Sequence, residues 1–188
     1  MGVDKPQWDE LYRTAATQEG HFTTAQAAGA GYSPQLLAKH LANGRIERRR
    51  RGVYRLVHYP AGDHEDLVVL WLWSERKGVF SHETALFLHE LSDVLPARAY
   101  MTVPAAWRRR RLRVPQNLKL AYDDLSPNER TWVGSVPVTT PPRAVMDCSR
   151  SAVQPDLVAQ AIEQGVARGL FAREDLDLAS PSGKEVEA

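Results

Sequence analysis

With 188 residues, 43 % hydrophobic content and a formal charge of +1, the chain can bury one medium core or two small ones. Its one cysteine, Cys148, excludes an internal disulfide framework and fits a reducing cytoplasm. No apolar N-terminal stretch resembles a signal peptide, and the longest apolar run, Leu67 to Trp73, is too short to span a bilayer, so a soluble, cytoplasmic protein without a membrane partner is expected.

In residues 1–20, Trp8, Leu11, Tyr12 and Ala15 recur at helical spacing after Asp4 and Pro6 and stop at Gly20, which predicts a first helix. Thr23 then offers a capping hydroxyl, with Gln26 three residues on to cap in return. The second helix is small-faced (Ala25, Ala27, Ala28), so a neighbour can approach closely, and Gly29 to Gly31 allow a tight turn. Ser33 as N-cap, Pro34 at the first helical position and Asn43-Gly44 as a left-handed stop bound a third helix. Its Pro34, Leu37, Ala38 and Leu41 fall on one side, Gln35, Lys39, Ala42 and Asn43 on the other. Residues 45–48 and 52–57 read as two strands with an arginine-rich tip. Two short helices, a tight turn and a ribbon outline a winged helix-turn-helix.

Residues 21–60 contain seven Lys and Arg against one Glu, a segment charge of +6 in a chain of +1. Charge concentrated in this way is the footprint of nucleic-acid binding. The expected contacts with double-stranded DNA are Thr23, Thr24, Ser33, Gln35, Lys39, Asn43, Arg45, Arg48, Arg49, Arg50, Arg51 and Arg55. Gln35 and Lys39, one turn apart, suit base edges, and the arginines suit phosphate.

Pro60 and Gly62 suggest a linker, which places the domains at 1–59 and 60–178 with a disordered tail at 179–188. Asp63 to Gly78 reads as a helix apolar on all sides, expected at the centre of the second core. A helix from Ser81 to Leu91 presents His82, Ala85, Leu86 and His89 on one face; strands are expected at 98–103, 117–122 and 132–139, and helices from Pro141 to Arg150 and from Pro155 to Gly169. The fold class is therefore α+β: the winged helix plus a mixed α/β domain with a small sheet and several helices. Trp107 to Arg113 holds five arginines and no acid, and Arg108, Arg109, Arg110, Arg111 and Arg113 are expected to contact phosphates flanking the site read by the winged helix. Residues 151–188, with three basic and seven acidic residues, carry −4 and are no DNA face.

The segments Thr24-x-Gln26-Ala27, Gly31-Tyr32-Ser33-x-x-x-Leu37 and Gly52-Val53-Tyr54-Arg55 resemble the AbiEi family of antitoxins and transcriptional repressors. So do Ser81-His82-Glu83-Thr84-Ala85-Leu86 with His89, Leu91-Ser92-Asp93 and Pro96, then Met101-Thr102-Val103-Pro104, then Val136-Pro137-Val138-Thr139-Thr140-Pro141-x-Arg143 with Asp147. The resemblance spans residues 8–178 and departs from the family at Glu90 and Ala144. It implies a repressor of its own operon at operator repeats, and a C-terminal domain that neutralises a nucleotidyltransferase-like toxin without a stable complex. The alternatives are a stand-alone regulator without a toxin and a DNA-targeted nuclease.

Catalysis has little support. His82 and His89 are seven apart, too far for a helical zinc pair, and neither CxxC nor HExxH occurs. Glu75-Arg76-Lys77 resembles half of a nuclease signature but falls at a helix end. Arg143 and Asp147 are spaced to pair on a helix, and Cys148 reads as a buried apolar residue. No enzyme activity, catalytic residue, metal or cofactor is expected.

Overall fold

Local signals account for the start of the chain. In a computed structural model, which describes residues 6–178, α1 (Trp8–Ala16) leads through a turn at Gly20, whose φ is +80°, into β1 (His21–Thr23). Thr23 then caps α2 (Thr24–Gly29): its hydroxyl accepts from the Gln26 amide at 3.1 Å, while its own amide donates to Gln26 Oε1 at 2.8 Å. Ser33 Oγ accepts from the Leu36 amide at 3.2 Å and starts α3 (Pro34–Ala42), which Gly44 ends at φ +65°. The two strands β2 (Ile46–Arg50) and β3 (Val53–Leu56) follow. The three-residue β1, absent from the sequence reading, pairs antiparallel with β3 and makes a sheet of order β1-β3-β2.

Alternation sorts that sheet into two buried faces. Phe22, Ile46 and Leu56 join Leu11, Ala15, Ala27, Ala30, Tyr32 and Leu37 in a core under the three helices, with the Phe22 and Tyr54 rings stacked at 5.8 Å. His21 and Arg55, which are register partners, point the other way. There α4 (Glu65–Trp73) packs on β1 and β3 and buries Val68 to Leu72. Here α4 departs from expectation. Its apolar surround did require burial, but the partner is the back of the wing sheet and not a second core. The contacts accordingly divide the chain after Gly78, and not before residue 60; Gly134–Val136 fall with the first unit. Pro60 and Gly62 mark a turn within the unit.

The second unit is built on a five-stranded sheet of order β6-β5-β4-β8-β7. In chain order it comprises β4 (Val79–Phe80), α5 (His82–Leu88), β5 (Ala99–Val103), a 3₁₀ turn (Ala105–Arg109), β6 (Leu118–Tyr122), a second 3₁₀ turn (Pro127–Glu129), β7 (Arg130–Val133), β8 (Val136–Thr139), α6 (Pro141–Ser149), α7 (Pro155–Ala167) and α8 (Arg173–Leu178). β4 runs antiparallel to β5 and parallel to β8, and β5 runs parallel to β6. One strand was expected over 132–139. The structure breaks it in two at Gly134, whose φ is +55°. The helices α5, α6 and α7 pack in sequence, α5 on α6 and α6 on α7. The expected tail at 179–188 lies outside the described residues.

Several polar groups that this unit buries find partners, as cost requires, although Thr139 Oγ1 and Asp147 Oδ2 have none among the described residues. Arg143 donates Nε to Asp147 at 2.8 Å, pairs with Asp123 at 2.5 Å and also pairs with Glu129. Burial alone would lower its pKa, but the hydrogen bonds it donates to Asp123, Asp147 and Glu129 raise it. His89 Nε2 lies 2.8 Å from the Thr139 carbonyl, so the histidine ties α5 to β8 as a structural group. Cys148 is fully buried and its thiol is pushed up to about 12, chiefly by that burial.

Candidate nucleic-acid interface

The surface of the first unit is assembled from helix caps and a hairpin. Capping at Ser33 and Gly44 fixes α3, and only Leu37 of its residues is fully buried. Gln35, Lys39, Ala42 and Asn43 are all exposed, on the side opposite that anchor. Ala38 and Pro34, expected inward, are exposed as well, so the outer face is wider than the pattern indicated. Thr23 and Ser33 each use one hydroxyl lone pair on a cap and keep the O–H and a second lone pair to offer a ligand.

The wing lies against the start of α2. The Thr24 amide donates to the Gly52 carbonyl at 3.0 Å, and the Thr24 hydroxyl approaches the same oxygen at 3.4 Å. The first amides of a helix have no intrahelical acceptor, so the tip of the ribbon supplies one. Ladder register shifts between Arg48 and Arg50, which makes Arg49 a bulge and re-aims the side chains around it.

These contacts divide the arginines. Arg48 and Arg51 are exposed and have no acidic partner among the described residues. Arg49 is exposed too, but it pairs with Glu47 at 3.3 Å and approaches Asp66 at 3.7 Å. Arg50 is half-buried, and its buried Nη1 has no hydrogen-bond partner among the described residues. Arg45 is exposed beside Trp8, Tyr12 and Tyr59 rather than on the wing.

Arg55 is a correction. It is 8 % exposed, held by Glu65 at 2.7 Å, and it donates to the Leu56 and Tyr59 carbonyls. It cannot reach DNA. As a strand neighbour of the core residues Tyr54 and Leu56, it had to face the other side of the sheet, and the sequence carried no sign that α4 covers that side. Burial alone would raise the Glu65 pKa, but the hydrogen bond and charge of Arg55 outweigh it and hold the carboxyl below its ordinary value.

In the second unit the basic cluster starts on the 3₁₀ turn Ala105–Arg109. Arg108 to Arg111 and Arg113 are all exposed. Aromatic rings steady two of them: the Arg110 guanidinium sits 4.2 Å from the Trp107 ring, and that of Arg108 lies 5.7 Å from Tyr122. Among the described residues, no group of three or more His, Cys, Asp or Glu side chains is placed to hold a metal ion, and no helix is long and apolar enough to cross a membrane.

Residues 9–57 match the family described as "Transcriptional regulator, AbiEi antitoxin". That match spans α1 to the end of the wing, the elements that carry the exposed face of α3 and the arginine hairpin. The motifs from Ser81 to Asp147 lie outside it. The crystal structure of RV2827C protein from Mycobacterium tuberculosis is similar in fold, with a TM-score of 0.52 at 15% sequence identity, covering 94% of this chain and 73% of that one. At that identity the likeness speaks to the mixed α+β architecture alone. No curated protein matches the chain.

Proposed function

We propose that the chain is a DNA-binding transcriptional regulator of the AbiEi antitoxin kind, with α3 entering a major groove. Gln35 and Lys39 read base edges, Arg48 and Arg51 grip phosphate or the adjacent minor groove, and Thr23, Thr24, Ser33, Asn43, Arg49 and Arg50 contribute to the same surface. The observation that carries this reading is the exposure of Gln35 and Lys39 on a doubly capped helix whose unit also presents an arginine ribbon tied to α2. The residues 108–113 cluster adds phosphate contacts from the second unit. The operator is expected upstream of the protein's own gene. Fluorescence anisotropy with that duplex should show tight, salt-sensitive binding and much weaker binding to a shuffled duplex. Equal affinity for both would remove sequence-specific regulation.

The antitoxin half of the reading assigns neutralisation of a nucleotidyltransferase-like toxin to the second unit, acting in the cytoplasm without a stable complex. A full-length variant carrying Gln35→Ala, Lys39→Ala and Arg48→Ala separates the two roles. It should lose the operator yet still rescue growth from a toxin encoded beside it. Loss of rescue together with operator binding would leave a regulator acting only through repression.

A further inference from the structure

The first unit carries an aromatic recess of which the DNA reading uses only Arg45. Trp8 and Tyr12 stand one turn apart on α1, and among the described residues each is 44 % exposed. The rings form a continuous wall: Trp8 to Tyr12 at 6.3 Å and Tyr12 to Tyr59 at 6.1 Å, both tilted. Tyr59 is fixed by its hydroxyl, which donates to the Ala16 carbonyl at 3.1 Å, and its ring fills the space over Gly20. Buried Leu56 lines the recess, which is open to solvent on one side and has a volume of about 430 Å³.

One cation stands at this wall. Arg45 lines the recess with His58 and forms no ion pair among the described residues. Its backbone is held at both ends, by N–H to the His40 carbonyl at 3.0 Å and by its own carbonyl accepting from Val57 at 3.2 Å. An exposed guanidinium on a fixed backbone beside an apolar wall supplies the two features of a small-molecule site: area for an apolar body and a charged group to orient it.

We propose that this recess binds a planar aromatic carboxylate, with its rings on Trp8, Tyr12 and Tyr59 and its carboxylate on Arg45. An aromatic body follows from the three ring faces, which are tilted against one another by 39° and 57°, and negative charge follows from the arginine that has no ion pair among the described residues. A volume of about 430 Å³ fits one or two fused rings with a short acidic arm. Of the lining residues, only Arg45 belongs to the set assigned to DNA, so ligand binding is scored by the probe alone, without duplex present.

Naphthoate is the probe, naphthylmethanol its neutral counterpart, and the readouts are calorimetry and the Trp8 indole N–H resonance, assigned by loss in Trp8→Phe. Naphthoate should shift that resonance saturably and bind roughly tenfold tighter than the alcohol, the scale of one charge-assisted hydrogen bond. Arg45→Gln, an exposed substitution, should abolish the difference and leave the residual aromatic binding. Absence of a saturable shift, equal affinity for the two probes, or an unchanged preference in Arg45→Gln would overturn the proposal. So would a Trp8 resonance that moves with protein concentration and not with ligand, since the wall would then be a contact between two copies.

Discussion

Gln35 and Lys39 share the exposed side of α3, whereas Arg55, two strands away, is locked beneath α4. Their substitutions should therefore separate cleanly. Gln35→Ala or Lys39→Ala is expected to cost about 1–3 kcal/mol at one base position and to flatten preference there, read by anisotropy across single-base operator variants. Arg51→Ala should weaken every duplex alike and reduce the salt slope by about 0.9. Arg55→Ala should act on folding instead. Loss of its bonds to Glu65 and two carbonyls leaves a carboxylate and acceptors unmatched, at a cost of about 2–3 kcal/mol in denaturant titration. The protein that remains folded should keep operator affinity; a specific affinity loss matched by no stability loss would put Arg55 back on the DNA.

Single elements show which signals were legible. Caps were, because a capping box needs only residues within one turn: Thr23 with Gln26 and Ser33 with Pro34 start α2 and α3 as read. Thr23→Ala should accordingly lower stability by about 1 kcal/mol in thermal or chemical unfolding. β1 was not legible, since three residues become a strand only through the pairing of His21–Thr23 with β3, about thirty positions on. α4 was legible as a buried helix and illegible in its destination, because an apolar surround does not say what covers it. The strand expected over 132–139 breaks at Gly134, where the left-handed backbone makes a turn. Gly165 on α7 tests packing against propensity. Ala is favoured over Gly in a helix by about 1 kcal/mol. A Cβ at Gly165, however, would collide with the buried Phe171 ring, and overpacking costs about 1–3 kcal/mol. Packing should win, so Gly165→Ala is expected to lower the melting temperature.

Across the whole molecule, His21, His40, His82 and His89 all have lowered pKa values, with burial the leading cause in each. The unfolded chain therefore binds more protons than the folded one below the ordinary histidine value of about 6.5, and stability rises with pH there. The stabilising effect is complete above that pH and is lost as acid charges the unfolded histidines. Glu65 and Glu129, whose pKa values are lowered, add a second loss below about pH 4.5. Melting temperatures should thus begin to fall between pH 7 and 5.5, before any carboxylate titrates. A flat profile in that interval would show that buried histidines do not govern acid sensitivity.

The bond from the Thr24 amide to the Gly52 carbonyl joins ribbon and helices into one piece before any duplex arrives. For the winged unit, encounter then requires no loop to be frozen, and the conformational part of the entropic cost falls on side chains. The heat capacity lost on complex formation should match the area of contact, without the surplus that accompanies a segment folding onto its target.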